Sequence, residues 1–134
     1  MQEQGKSAFG LDPNVAAGLA YIPVCLCHLV FSIAILATDK TNKLARFHAV
    51  QSLLISASIL AGYIVMFVLV MVFVAIAAAT NTPAIMFISF LVYIGFFIWL
   101  AANFIGLIIS MINAFQGKIF RLPLIGNMAE KWSN

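Results

Sequence analysis

Two apolar stretches without a charged side chain decide the fold: FHAVQSLLISASILAGYIVMFVLVMVFVAIAAA at residues 47–79 and AIMFISFLVYIGFFIWLAANFIGLIISMINAF at residues 84–115. A helix that crosses a hydrocarbon core of about 30 Å needs about 20 apolar residues, so each stretch is long enough to span a bilayer. The Thr80-Asn81-Thr82-Pro83 segment between them predicts a turn, because proline starts helices more readily than it continues them.

The rest of the chain is also apolar. Of its 134 residues, 64% are hydrophobic and 8% are charged, whereas soluble domains carry about 25% charged residues. A further uncharged run from Pro13 to Thr38 predicts another span, with Tyr21 at its interfacial end. We therefore expect an all-α integral membrane protein with three transmembrane helices. The predicted layout is one membrane domain over 1–134, with a polar tail at 1–14, spans at about 18–38, 46–79 and 84–115, and an amphipathic, interfacial cytoplasmic tail at 117–134.

Basic residues predict the orientation in the membrane. With three crossings, the N-terminal tail and the turn at Asn81 share one side, which carries Lys6 alone. The other side carries six basic residues: Lys40, Lys43, Arg46, Lys118, Arg121 and Lys131. Lys and Arg accumulate in cytoplasmic loops, so we expect the N-terminus outside and the C-terminus inside, in the inner (cytoplasmic) membrane. Residues 1–14 lack the pattern of a secretory signal, so we expect the first apolar run to stay in the mature protein.

The first apolar run contains Cys25, Cys27 and His28. Their spacing departs from the Cys-x-x-Cys-His of c-type haem attachment, and residues two apart point to different sides of a helix, so we interpret the thiols as packing groups. His28 falls near the middle of the predicted span, where ionisable side chains are rare. We favour a hydrogen bond from His28 to a serine or a carbonyl of a neighbouring helix. The alternatives are ligation of haem or a chlorophyll-type tetrapyrrole and a proton relay.

Four polar residues open the second long helix: Arg46, His48, Gln51 and Ser52. At helical spacing, His48 and Ser52 lie on one face. Arg46 and His48 are expected at the level of the cytoplasmic headgroups, within reach of phosphates or of the C-terminal tail. We interpret these four residues as an interfacial anchor that also caps neighbouring backbone groups.

Small residues four positions apart predict helix packing in the spans, because they allow membrane helices to approach closely. These residues are Ala57 and Ala61, Ser58 and Gly62, and Ala102, Gly106 and Ser110. The aromatic residues of the third span are interpreted as a packing or lipid-facing surface.

The tail after the third span has its own signals: Gly117, Lys118, Arg121, Pro123 and Gly126. Gly117 suits the left-handed residue that often ends a helix. Asn127 and Glu130 resemble a capping pair for a short final helix. Apolar side chains of this tail are expected at the interface, while its basic side chains face water.

Three motifs carry a resemblance: Gly-Leu-Ala-Tyr at 18–21, Arg-Phe-His-Ala-x-Gln-Ser at 46–52, and Gly-Lys-x-x-Arg-Leu-Pro-x-Ile-Gly-Asn-x-Ala-Glu at 117–130. From Asp12 onward the chain resembles a family of small prokaryotic membrane proteins. That family is grouped with the twenty-kilodalton component of the chloroplast inner-envelope (Tic) import machinery. The resemblance implies a helical membrane fold and association with other membrane proteins.

We expect no enzyme activity, because the sequence offers no nucleophile beside a base, no carboxylate pair and no metal cluster. The sequence has no basic face with interleaved aromatic residues outside the predicted spans, so nucleic-acid binding is not expected. The favoured hypothesis is a non-catalytic accessory subunit that packs against larger membrane partners in a respiratory, photosynthetic or translocation complex. Its expected contacts are the lipid bilayer and other subunits, and the candidate cofactors are chlorophyll, haem or a bound lipid. The alternatives are an oligomeric pore or protein-translocation component, and tetrapyrrole binding through His28.

Overall fold

A computed structural model of the chain describes residues 5–7, 10–22 and 27–133. Over these residues it contains five α-helices: α1 (Pro13–Leu19), α2 (Cys27–Thr38), α3 (Lys43–Thr80), α4 (Ala84–Phe115) and α5 (Ile125–Ser133). The chain divides into two compact units. The terminal unit takes residues from 1–56 and 105–134, and the hairpin unit takes residues 57–104.

The structure does not support the predicted first span at 18–38. The run instead contains α1, which ends at Leu19, and α2, a helix of 12 residues. At 1.5 Å per residue α2 is about 18 Å long, well short of a core of about 30 Å. Proline disfavours the helical conformation in the residue before it, and Ile22, which precedes Pro23 in the sequence, is not helical. Uniform apolarity therefore predicted a continuous helix where the chain breaks.

Two helices are long and apolar enough to cross a membrane, α3 with 38 residues and α4 with 32. They are about 57 Å and about 48 Å long, so each exceeds the thickness of a hydrocarbon core. The bounds of α4 coincide with the predicted 84–115, whereas α3 begins three residues before the predicted 46. Asn81 makes the turn between them with a left-handed backbone (φ 49°), which asparagine adopts more readily than most residues.

The hairpin unit consists of the second part of α3 and the first part of α4. Trp99 lies over Gly62, so that a Cβ added there would meet the indole Nε1 at 2.6 Å. The rings of Tyr63 and Phe96 meet edge to face at 6.2 Å. Most of the other large apolar side chains of this unit are exposed, and the rest are partly buried. Such a surface is suited to lipid or to other membrane helices.

The terminal unit has a small core of its own. Alanines of α1 and α3 pack with Ile35 of α2, and Phe47 and Val50 of α3 pack with Ala129 of α5. A Cβ on Gly18 would lie 2.5 Å from the ring of Phe115. Helix backbones approach closely here because the contact residues are small.

Side-chain caps fix the start of α3. Asn42 precedes the helix, and its Oδ1 accepts the N–H of Ala45 at 3.3 Å. The Oδ1 of Asp39 accepts the N–H groups of Thr41 and Asn42, and its other oxygen accepts the hydroxyl of Ser7. These contacts satisfy amides that a helix start leaves unpaired.

The end of α4 and the start of α5 differ in how well the sequence predicted them. Gly117 follows α4 with φ 69°, in the left-handed conformation expected of it. The predicted capping role of Asn127 is wrong, because α5 begins two residues earlier at Ile125. The turn into α5 is instead closed by the N–H of Gly126, which donates to the carbonyl of Leu122 at 2.8 Å.

Candidate functional site

A buried polar cluster, formed by Tyr21, His48, Gln51, Ser52 and Ser110, lies inside the terminal unit. All five residues are buried. The predicted common face of His48 and Ser52 exists and turns into the protein, and the expected level of Arg46 and His48 at the headgroups stays a prediction. Polar side chains that are removed from water require hydrogen-bond partners, and each of the five has at least one.

His48 connects two separate segments of the chain. Its Nδ1 lies 3.0 Å from the hydroxyl of Tyr21, and its Nε2 lies 3.0 Å from the carbonyl oxygen of Lys118. A carbonyl only accepts, so the partners assign the proton to Nε2 and make Nδ1 the acceptor of the tyrosine proton. Burial raises the pKa of the Tyr21 phenol, which keeps it neutral and able to donate.

Gln51 supplies donors on the other side of Tyr21. Its amide nitrogen lies 3.2 Å from the Tyr21 hydroxyl, 2.9 Å from the Ser110 hydroxyl on α4 and 3.1 Å from the carbonyl oxygen of Phe120. The tail carbonyls of residues 118 and 120 both lie outside helices. The cluster therefore provides buried hydrogen-bond donors for backbone carbonyl groups that lie outside helices and have no helical partner.

Ser52 acts in the same way at the break after α1. Its hydroxyl donates to the carbonyl of Ala20, and the hydroxyl of Ser32 approaches the same oxygen at 3.4 Å. The break after α1 and the tail after α4 are thus tied to a short stretch of α3. Neutral side chains directed at backbone carbonyls in this way form structural cross-links.

Arg46, two residues before His48, reaches the C-terminal tail. Its Nε donates to the carbonyl of Ser133 at 2.9 Å and its Nη1 to the carbonyl of Asp39 at 3.1 Å. A guanidinium at the last carbonyl of α5 also opposes the negative end of the helix dipole. Arg46 therefore fastens the end of α5 to the loop before α3.

His28 lies at the second position of α2, near the start of a short helix. Its Nε2 is 2.9 Å from the hydroxyl of Ser56 on α3, and that hydroxyl donates to the carbonyl of Ser52 at 3.1 Å. The contact matches the favoured hydrogen bond to a serine of a neighbouring helix. Tetrapyrrole ligation through His28 stays a prediction. Cys27 is a free thiol, and Cys25 lies outside the described residues.

The small residues of the spans fall in three environments. Ser58, Ala61 and Gly62 line an apolar groove of about 500 Å³ in the hairpin unit, together with Gly95 of α4. Gly106 is covered by Leu122, and Ser110 belongs to the buried polar cluster. Ala57 and Ala102 are exposed. The predicted rows are therefore divided between different surfaces.

The predicted tail residues lie around the turn into α5. Arg121 pairs with Glu130 at 2.6 Å on the surface, and the Nζ of Lys118 donates to Gln116. A Cβ on Gly126 would meet backbone and Cβ atoms of Arg121 at 2.7–2.9 Å, so only glycine fits there. Pro123 is exposed at the start of this turn.

Three contributors were missed as site residues: Tyr21, which was interpreted as an interfacial residue, and Asp39 and Asn42, in the loop before α3. The Asp-x-x-Asn spacing before a long apolar run was a readable capping signal. No signal paired Tyr21 with His48, since the two residues are brought together by the break after α1.

The fold and the buried polar cluster define a small helical membrane protein with two long apolar helices and a cross-linked terminal unit. The chain belongs to the magnetosome magnetite crystal formation protein (MamF/MmsF) family, whose model matches residues 12–129. It is 32% identical to the UPF0132 membrane protein MJ1443 of Methanocaldococcus jannaschii, over 96% of each chain. It is 28% identical to the UPF0132 membrane protein MJ1527 of the same organism, over 93% of this chain and 73% of the relative.

No solved structure matches the chain. The expected membership of a prokaryotic membrane protein family is confirmed. The comparisons lend no support to the grouping with the chloroplast import component.

Proposed function

We propose that this chain is a non-catalytic membrane subunit that packs against other membrane proteins through its hairpin unit. The observation that carries the proposal is the outward-facing apolar surface of residues 57–104, which includes a groove floored by Ala61, Gly62 and Gly95. Lipid covers any apolar surface, but small residues along a groove allow another helix to approach closely enough for extensive van der Waals contact.

The proposal includes an orientation that differs from the one expected for three spans. With α3 and α4 as the only crossings, both chain ends lie on one side of the membrane, and the turn at Asn81 lies on the other. All seven Lys and Arg residues then share the side of the chain ends, and none lies in the turn. Because basic residues mark the cytoplasmic side, we place both ends in the cytoplasm.

The family's link to magnetite crystals bears on this chain through the same layout. All four acidic residues (Glu3, Asp12, Asp39 and Glu130) precede or follow the two crossings, so they share the cytoplasmic side in the proposed orientation. The segment on the other side is the turn at residues 80–83, which carries no charged residue. Because that side offers no carboxylate to a mineral surface, we propose that the chain organises a membrane and its proteins.

Site-directed labelling tests the orientation. In a background with both cysteines changed to serine, we introduce Gly5→Cys, Asn81→Cys and Lys131→Cys, all at exposed positions, and treat intact cells with a membrane-impermeant maleimide. Two crossings predict labelling of the Asn81→Cys variant alone, and of the other two only after the cells are opened. Labelling of the Gly5→Cys variant in intact cells would restore the three-span topology.

Photocrosslinking in native membranes tests the packing role. A photoreactive phenylalanine analogue replaces Gly95, where a Cβ meets nothing within 4 Å. The matched control places the analogue at exposed Ala101 on the same helix. We expect a defined protein adduct from position 95, with either a second copy or a different partner, and chiefly lipid adducts from position 101. Lipid adducts alone from both positions would refute the proposal.

An oligomeric pore or translocation component is the second candidate. One observation favours it: the hydroxyl of Ser89 on α4 is buried and has no hydrogen-bond partner among the described residues. A polar group at membrane depth is a candidate for lining a pathway. Purified protein in voltage-clamped planar bilayers decides the matter, since a defined conductance that changes in a Ser89→Ala variant supports a pore and a silent bilayer opposes it.

A further inference from the structure

The helix α5 has a buried side of small residues and an exposed apolar side. Gly126, Ala129 and Ser133 are buried, and Ala129 packs against α3. On the other side, the side chains of Leu124, Met128 and Trp132 follow one another at intervals of four residues and are 83%, 43% and 55% exposed. Met128 and Trp132 lie one turn apart on the same face of α5, and Leu124 directly precedes the helix, so the three form an apolar stripe that no described residue covers.

The backbone at the head of this stripe is unusual. Leu124 has φ 66°, a left-handed conformation that costs a residue with a side chain of its size about 1–2 kcal/mol. The N–H of Ile125 donates to the carbonyl of Pro123 at 2.8 Å, directly across Leu124. The missing side chain of Gly126 allows the backbone of Arg121 to approach. The turn thus holds the most exposed large apolar side chain of the described residues in an unfavourable conformation.

The segment that carries the stripe is basic. Lys118, Arg121 and Lys131 are exposed in the segment from 116 to 133, and Glu130, which pairs with Arg121, is its only acidic residue. Lys40 and Lys43, in and after the loop before α3, are exposed as well. An apolar stripe with a tryptophan and flanking lysines is the pattern of a helix that lies in the headgroup region of a bilayer.

We propose that the stripe formed by Leu124, Met128 and Trp132 is a membrane-contact surface that inserts into an anionic lipid leaflet, with Lys118 and Lys131 on the lipid phosphates. The excess positive charge of the segment is complementary to an anionic surface. A bilayer is present wherever the apolar hairpin unit resides, so the stripe always has this occupant at hand. The inference requires membrane residence but no protein partner, so it can fail while the packing role of the hairpin unit stands.

Fluorescence of Trp132 tests the proposal. The chain has two tryptophans, so Trp99→Phe leaves Trp132 as the only one. The variant is reconstituted in vesicles of phosphatidylglycerol and phosphatidylcholine that contain lipids brominated either near the headgroup or near the chain ends. We expect strong quenching by the shallow bromines, weaker quenching by the deep ones and little quenching by aqueous acrylamide.

Charge and apolar variants sharpen the result in the same background. A lysine close to an anionic surface contributes to the free energy of membrane binding. Lys131→Gln should therefore lower the ratio of lipid-inserted to water-exposed Trp132 about fivefold. Leu124→Ser should do so as well. The matched control is Lys6→Gln, an exposed lysine far from α5 in the sequence, which should leave the ratio unchanged. Circular dichroism confirms that each variant keeps its helix content.

Two outcomes overturn the proposal. Acrylamide quenching of Trp132 as strong as that of a free tryptophan analogue would show a stripe that is open to water. Weak quenching by both acrylamide and brominated lipid would show a stripe that is covered by protein, either a second copy or a different chain.

Discussion

Replacing Gln51 by leucine tests whether the buried polar cluster holds the terminal unit together. The substitution keeps a side chain of similar size and removes an amide that contacts Tyr21, Ser110 and the carbonyl of Phe120. The amide nitrogen has two N–H bonds for these three acceptors, so about two full hydrogen bonds are lost; at about 1.5 kcal/mol for each, the cost is about 3 kcal/mol. The Oε1 atom of Gln51 has no hydrogen-bond partner among the described residues, so its removal returns about 1 kcal/mol. We expect a net loss of about 2 kcal/mol, which lowers the folded-to-unfolded ratio about 30-fold.

The assay is an SDS titration of the detergent-solubilised protein, followed by far-ultraviolet circular dichroism. The matched control is Gln116→Leu, which removes an exposed glutamine whose contact is a surface hydrogen bond to Lys118; it should shift the unfolding free energy by less than about 0.5 kcal/mol. A double-mutant cycle with Ser110→Ala should show a coupling of about 1 kcal/mol. If Gln51→Leu costs no more than the control, or if the coupling vanishes, the cluster does not stabilise the fold in the way argued.

Three further substitutions test the elements around the cluster. Arg46→Gln removes the charged donor at the end of α5, and tryptic cleavage after Lys131, measured by mass spectrometry, should accelerate about tenfold, which corresponds to about 1.4 kcal/mol; an unchanged rate would show that α5 is held by packing alone. Asn42→Ala removes the cap of α3 and should cost about 1 kcal/mol in the same SDS titration; no loss would mean that the cap is dispensable. Gly126→Ala places a Cβ against backbone and should cost about 1–3 kcal/mol, whereas Gly95→Ala enters open space in a helix and should gain up to about 1 kcal/mol; equal effects would contradict the close approach at position 126.

The two long helices could be predicted from the sequence, since length and apolarity suffice for a span and need no knowledge of a partner. The residues of the buried polar cluster on α3 could also be singled out, because His48, Gln51 and Ser52 are polar side chains at the head of an apolar helix. Their environment could not be predicted. Tyr21 approaches them only because the chain leaves the helical conformation between Leu19 and Ile22, and hydropathy does not register such a break.

Agreement between apolarity and charge is a weak test of the number of spans, because both the three-span and the two-span topology satisfy it. Three crossings gave a division of six basic residues against one, and the agreement with hydropathy supported the count. Two crossings give seven against none, so the same rule fits the revised topology better than the original. The break between Leu19 and Ile22 favours two crossings, because the 12 residues of α2 span about 18 Å, which is less than the thickness of a bilayer core. Helix continuity, which is interrupted here between Leu19 and Ile22, therefore carries more weight than composition in the count of spans.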